Sequence, residues 1–542
     1  MADSTPAQRG TWGSRIGIIM AVAGSAVGIG NFLRFPVQAA RNGGGAFMIP
    51  YFVSLLLLGI PLMWVEWTIG RYGGGFGHGS APGAFQSLWR KNRFIKYFGV
   101  IGIFGPLVIF MYYCYVESWL LGYSFYALTG KYASAANPEG MKAFLEGYQG
   151  LESNQYFSSM WPAYIFFLIT FALNMIVLYR GISGGIEKVC NLALPMLAVL
   201  GIIIAVRVLF LGAPDPAKPD WSTINGLGYL WNPDFGQLTK ASVWMAAAGQ
   251  IFFTLSVGIG AIITYASYLS RADDVTLSGL TATSANEFAE VVLGGTIAIP
   301  ACYAFFGPDA IKGIADSGAF NLGFVTMPLV FAKIPMSAVF GGCWFIMLFL
   351  AGITSSISLV QPAIAFLEDE FDIERKNAVK LFAAVSFVLC QPAIFMLSRG
   401  VMDDLDFWGG TVLLVIFATT ESILFAWVFG IDKAWDEIHV AARMRLPGIY
   451  KFIIKYVTPL FLLTIIGMWL YQDWWPVIVM KNVKPADKPF VLQSRLMLLG
   501  TFLALCVMVH IAWRKRRPIS AQPDVPPPVA AGEATDKKGD SQ

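Results

Sequence analysis

Gly24-Ser25-Ala26-Val27-Gly28-Ile29-Gly30-Asn31 sits in the middle of an apolar run from about Ile16 to Arg41. A run of that length can cross a bilayer, which takes about 20 residues. Its middle does not suit a continuous span. Glycine is about 1 kcal/mol worse than alanine inside a helix, and Asn31 and Arg34 follow directly. Non-helical backbone at membrane depth survives only where it lines a cavity or is buried in protein. The stretch therefore reads as a broken helix with a polar site at the break. The amides of Gly28, Ile29 and Gly30 would open the second half and can face an anion. The carbonyls of Gly24, Ala26 and Val27 would end the first half and can face a cation. Asn31 adds a side-chain oxygen.

The pattern returns at Gln250-Ile251-Phe252-Phe253-Thr254-Leu255-Ser256-Val257-Gly258-Ile259-Gly260, where Val-Gly-Ile-Gly repeats letter for letter. Here the carbonyls of Phe253 and Thr254 and the hydroxyls of Thr254 and Ser256 are the candidate oxygens. Two glycine-interrupted spans in matching halves point to a secondary transporter with inverted repeats. A third cluster, Ala351-Gly352-Ile353-Thr354-Ser355-Ser356, lies in another apolar span. Asn286 and Glu290, four residues apart, add an amide and a carboxylate in a fourth. Such low-charge oxygen sets suit Na⁺ better than a divalent ion, which prefers several carboxylates. Amides beside carbonyls also suit a zwitterion. Glu66, Glu117 and Glu421, also ionisable at membrane depth, are functional candidates by the same rule, with structural pairing the favoured reading.

Those elements belong to a polytopic membrane protein. The 542 residues are 56 % hydrophobic and 13 % charged, against about 25 % charged in soluble domains. Twelve spans are expected near 15–41, 45–70, 97–127, 161–180, 187–211, 241–268, 276–306, 337–369, 379–397, 407–430, 452–471 and 491–513. Basic residues crowd the segments after the second, eighth, tenth and twelfth spans (Arg71 and Arg90 to Lys96, Arg375 to Lys380, Lys433 to Lys451, Arg514 to Arg517). Positive charge stays inside, so both termini are expected in the cytoplasm. Segments 1–11 and 514–542 read as tails, the second disordered beyond its basic start. No cleavable signal is recognised at the start. The net charge of +4 does not suggest nucleic acid. The six cysteines and three histidines are dispersed, without metal spacing. No nucleophile–base pair or nucleotide loop is present, so an enzyme is not expected.

The motifs Asn31-Phe32-Leu33-Arg34-Phe35-Pro36, Asn42-Gly43-Gly44-Gly45-Ala46-Phe47, Gly249 to Ser256, Ile263 to Tyr268 and Ala351 to Ser356 resemble the neurotransmitter:sodium symporter family, closest to its bacterial leucine-transporting member. The resemblance runs from about Arg9 to Arg517. It implies an all-α, LeuT-like fold of twelve transmembrane helices: a five-plus-five inverted repeat (about 12–211 and 241–430) with helices 1 and 6 broken, and two extra helices (about 452–513). It implies two Na⁺ ions beside one amino acid. The first ion would take Ala26, Asn31, Thr254 and Asn286 with the substrate carboxylate; the second, Gly24, Val27, Ala351, Thr354 and Ser355. The substrate pocket would use Ala26, Gly28, Ile29, Gly30, Ile109, Tyr113, Phe253, Thr254, Ser256, Ile259, Ser355 and Leu359. An outer gate would pair Arg34 with Asp406 and Tyr113 with Phe253. An inner gate would involve Arg9, Trp12, Ser267, Tyr268, Gln361 and Asp369. Leucine-transporting members have Phe at Ile259 and Ile at Leu359, and monoamine members have Asp at Gly28. Chloride-dependent relatives have a small hydroxyl residue at Glu290, whose carboxylate implies chloride independence. The expectation is a Na⁺-coupled symporter of neutral, largely apolar amino acids in a bacterial inner membrane. The alternatives are a proton-coupled carrier, a Na⁺-gated channel and a transport-inactive sensor.

Overall fold

The computed structural model describes residues 10–472 and 474–515. Arg9 of the expected inner gate, and nearly all of the C-terminal tail, lie outside the described residues. Within them the architecture is helical, without a strand. Helices α1 (Arg15–Ala26) and α2 (Ile29–Arg41) form one span bent by 45°. Then come α3 (Gly45–Gly74), α4 (Ile95–Leu128), α5 (Trp161–Tyr179) and α6 (Ile182–Leu209). Two short helices, α7 (Ala241–Thr254) and α8 (Ala261–Ala266), flank a non-helical stretch. The rest are α9 (Val275–Phe306), α10 (Ser337–Phe371), α11 (Arg375–Phe395), α12 (Val401–Ile438), α13 (Ile449–Gln472) and α14 (Lys488–Lys515). Among the described residues, ten helices are long and apolar enough to cross a bilayer, and the α1–α2 pair makes an eleventh. The span expected over 241–268 holds α7 and α8, of which α7 is apolar but too short to cross alone.

Both breaks arise where glycine is expected, by different backbone means. Val27 leaves the helical region at φ −72°, ψ 92° and Gly28 is extended at φ −117°, ψ −172°. In the second break Ser256, Gly258 and Gly260 are left-handed, at φ 53°, 77° and 88°. That region is open to glycine and strained for serine. The Ser256 hydroxyl donates to Ser25 O at 2.8 Å, and the Gly258 amide donates to the Glu66 carboxylate. The second break is thus tied to α1 and α3.

The core runs along α4 and α10, which pack on each other at the centre. Of the most apolar window of α4, 94 % is buried, against 17 % for α14. One therefore belongs to the scaffold and the other to the lipid-facing rim. Segments between the expected spans also contain helices, among them Pro138–Gln149, Thr223–Trp231 and Pro308–Asp316. Each begins at a helix-start signal, Asn137, Ser222 or Gly307-Pro308.

Candidate ion and substrate site

Four elements meet at the two breaks: α1–α2, α7–α8, α9 and α10. The Gly28 amide, left free by the break, donates to Asn31 Oδ1 at 2.8 Å. Asn31 Nδ2 then donates to Asn286 Oδ1 (2.8 Å) and Thr254 Oγ1 (3.2 Å). Asn31 was expected to present its oxygen to a cation; here the unpaired amide of Gly28 takes that oxygen, and Asn31 turns its nitrogen to the cluster. The Asn286 side-chain amide faces the carbonyl oxygens of Ala26 (3.1 Å) and Thr254 (3.2 Å), which suits its nitrogen better than its oxygen. Acceptors facing acceptors repel unless a cation lies among them or the amide turns to donate. The set Ala26 O, Thr254 O, Thr254 Oγ1 and Asn286 Oδ1 is neutral and all oxygen, which fits Na⁺. Among the described residues no cluster of three His, Cys, Asp or Glu side chains could hold a metal.

Glu290 adjoins this cluster. Its carboxylate accepts from Thr254 Oγ1, from Gln250 Nε2 (3.0 Å) and from Tyr51 OH (3.0 Å). It lies in a π-helical segment of α9, Phe288–Gly294, so Asn286 and Glu290 are not related by a regular helical turn. Such bulges recur at functional sites. Gln250 and Tyr51 were not singled out from sequence. Gln250 was legible as a polar residue in an apolar run; Tyr51 carried no signal.

The second oxygen set lies between α1 and α10. Ser355 Oγ donates to Gly24 O (3.3 Å) and Ser25 O (3.2 Å). Thr354 Oγ1 is bonded to Leu350 O (3.0 Å) and Ala351 O (3.2 Å) of its own helix, and its Cβ would lie 3.1 Å from a Cβ at Gly24. Gly24, Ala351, Thr354 and Ser355 are therefore neighbours. Val27 is buried at the end of α1.

Between the breaks is a cavity of about 50 Å³. All the expected pocket residues except Ile29 line it, joined by Ser25, Asn31, Ser358, Gly410 and Leu414. Ile29 faces a larger cavity of about 250 Å³, which Tyr113 and Phe253 also line. Those two side chains separate the cavities without ring-to-ring contact. The close fit explains both glycines of the first break. A Cβ at Gly28 would stand 3.0 Å from Ser355 Oγ and 3.3 Å from Tyr113 OH, and one at Gly30 only 2.6 Å from the Phe253 ring.

Arg34 and Asp406 line the same large cavity but form no direct ion pair. The Arg34 guanidinium stacks over Phe253 at 4.1 Å, and Asp406 accepts from Tyr112 OH. The two charges thus stand apart across this cavity, each held by an aromatic neighbour. On the other face, Trp12 Nε1 donates to Tyr265 O at 3.1 Å. Gln361 Nε2 donates to Tyr268 OH at 3.0 Å, and Ser267 Oγ to Thr264 O at 2.7 Å. Asp369 is half-buried on α10. Two residues overlooked in the sequence organise this face. Glu187 accepts from Gly13 N (2.7 Å) and Ser14 Oγ (2.9 Å) at the start of α1. Arg375 joins Gln361 (2.8 Å), Glu368 (3.0 Å) and Leu178 O (2.9 Å). Glu187 was legible as a carboxylate opening an apolar span, whereas Arg375 was absorbed into the count of inside charges.

Known proteins share this architecture. The family model for the sodium:neurotransmitter symporter family matches residues 9–214 and 142–515. A sodium-dependent transporter of Methanocaldococcus jannaschii is 32 % identical over 85 % of this chain and 90 % of its own length. The sodium-dependent transporter YhdH of Bacillus subtilis is 28 % identical over 78 % of this chain and 86 % of its own. The crystal structure of MhsT in complex with L-phenylalanine superimposes with a TM-score of 0.72 at 28 % identity, covering 85 % of this chain and 99 % of that one. Together with the broken helices and their oxygen clusters, these matches establish that the chain is a sodium-dependent membrane transporter and not an enzyme, belonging to the sodium:neurotransmitter symporter family.

Proposed function

We propose that the protein couples entry of neutral, largely apolar α-amino acids to two Na⁺ ions by alternating access, with both termini in the cytoplasm of a bacterial cell. The observation that carries this reading is the cavity between the breaks. Ile109, Phe253, Ile259 and Leu359 give it an apolar wall, with no charged side chain on its lining. The substrate carboxylate would lie against the amides of the first break and share the first ion with Ala26, Asn31, Thr254 and Asn286. The second ion would take Gly24, Val27, Ala351, Thr354 and Ser355. Asn31 would have to turn its amide to bring oxygen to the ion, releasing the Gly28 amide to the substrate. The relative bound to L-phenylalanine supports an amino acid as cargo.

Arg34 approaching Asp406, with Tyr113 and Phe253 closing beneath, would shut the outer path. Trp12, Ser267, Tyr268, Gln361 and Asp369 would open the inner one. Two charges moving down about 100 mV release about 4.6 kcal/mol, roughly three decades of accumulation. Glu290 would offset ion charge in a dehydrated site, where an uncompensated charge is costly, so chloride is not required. The test is Na⁺-driven uptake into proteoliposomes, with the twenty amino acids as competitors. Large neutral amino acids should compete best. Uptake that ignores Na⁺ and follows a pH gradient, or prefers lysine or glutamate, overturns the reading.

A further inference from the structure

The first turns of α12 carry three carboxylates, Asp403, Asp404 and Asp406. Two residues apart on a helix place Asp404 and Asp406 on opposite sides. Asp406 looks into the large cavity. Asp404 looks away from it and is buried, with 9 % of its surface exposed. Its partner is Arg495 of α14. Arg495 Nη2 donates to Asp404 Oδ1 at 2.7 Å, and Nε reaches Oδ1 and Oδ2 at 3.1 and 3.3 Å. The remaining nitrogen, Nη1, donates to the carbonyls of Val477 (2.9 Å) and Ile478 (3.2 Å). Those carbonyls belong to the short helix Trp474–Ile478 between α13 and α14. The guanidinium also lies over the Trp408 ring, 5.6 Å from its centroid. One side chain thus joins the start of α12, the connecting segment and α14.

Arg495 lies on the packed side of α14, beside the buried Val491, Ser494 and Leu498. Leu492, Leu496, Leu499, Leu503 and Val507, on the other side, are about half exposed, as suits a helix against lipid. A nearly buried, forked ion pair on such a helix is costly unless every nitrogen is satisfied, and here every one is.

We propose that Arg495 is a positioning residue for the outer gate: by clamping Asp404 from behind, it fixes the rotation and reach of the turn that presents Asp406 to Arg34. The inference rests on reading Arg34 and Asp406 as that gate. Movement of α12 toward Arg34 then carries α14 and the connecting segment with it, so the outermost helix takes part in closure. Losing the fork frees the turn to rotate or fray. Asp406 then meets Arg34 less often, and the large cavity spends more time open.

The experiment places a reporter cysteine in the large cavity, Ala319→Cys, and follows its labelling by a membrane-impermeant maleimide in Na⁺. Background from the six native thiols is measured in the parent. Arg34→Ala is the reference for an unlatched gate. Arg495→Ala and Asp404→Asn should each raise the labelling rate several-fold, and the double variant should match either single one, as expected for partners in one contact. Arg495→Lys, which keeps the charge without the fork and serves if Arg495→Ala does not fold, should fall between. A merely structural role would lower the thermal midpoint without changing labelling of the folded protein. If Arg34→Ala speeds labelling and no Arg495 or Asp404 variant does, or the two defects simply add, the clamp is wrong. If Arg34→Ala itself leaves labelling unchanged, the gate reading falls, and the clamp with it.

Discussion

Asn286 is the residue on which the first ion site turns. Its side-chain amide meets the carbonyls of Ala26 and Thr254, which are satisfied either by donation from its nitrogen or by a cation beside its oxygen. Asn286→Ala should weaken Na⁺ binding by at least about tenfold, the order of 1–2 kcal/mol for one lost polar ligand. Isothermal titration with Na⁺ in detergent checks this, and an unchanged affinity refutes the ligand assignment. Gly30 gives a second test at this scale. An added Cβ would lie 2.6 Å from the Phe253 ring, so Gly30→Ala must displace the side chain that floors the large cavity. Overpacking of this kind costs about 1–3 kcal/mol. Substrate affinity should fall with Na⁺ affinity much less affected, as equilibrium binding of both ligands will tell. The sequence marked Gly28 and Gly30 as breakers of a helix. That each leaves room for a particular neighbour, Ser355 and Tyr113 for one and Phe253 for the other, is legible only once α4, α7 and α10 are assembled around them.

At the scale of elements, the two breaks share four letters and little else. Gly258 adopts φ +77° and a Cβ there would stand 2.7 Å from Leu414 O of α12. Gly28 has an ordinary negative φ. Gly258→Ala should therefore cost thermal stability beyond the roughly 1 kcal/mol of the backbone term alone, and more than Gly28→Ala does. A thermal midpoint for each in the absence of ligand decides it. The start of α1 depends on Glu187 of α6, which accepts from the Gly13 amide and the Ser14 hydroxyl. Loss of the carboxylate that receives these two hydrogen bonds costs about 1–3 kcal/mol. Glu187→Ala should favour opening at the Trp12 face and lower apparent Na⁺ affinity, while Glu187→Gln, which keeps the acceptor, should recover part of it. Equal Na⁺ affinity in parent and Glu187→Ala would show that this contact does not hold the inner end of α1.

For the whole molecule the question is charge balance. Asn286, Thr254 and Glu290 form one connected network, so a cation among the oxygens has a carboxylate one side chain away. Uptake by the parent should be indifferent to replacing chloride with gluconate. Glu290→Ser should lose activity in gluconate and regain part of it in chloride. A parent that stalls without chloride would show that Glu290 does not balance the ions.

Composition, the two glycine-interrupted spans and the basic segments were enough to show an all-helical membrane transporter. Hydrophobic length and helix-breaking are local properties, and local properties survive in a string of letters. Asn31, Thr254, Asn286 and Ser355 stood out as polar side chains in apolar spans, and Gly24 as a carbonyl at a helix break, whereas their grouping into two sites came from the family resemblance. What the tertiary structure decided depends on distance between segments far apart in the chain. It gave the Asn31 oxygen to the Gly28 amide, kept Arg34 on Phe253 instead of Asp406, and gave Glu290 the partners Tyr51 and Gln250. It also turned Glu187, Arg375 and Arg495 from entries in a charge count into bridges. A charge in a sequence has a sign but no partner, and only packing brings the partner within reach.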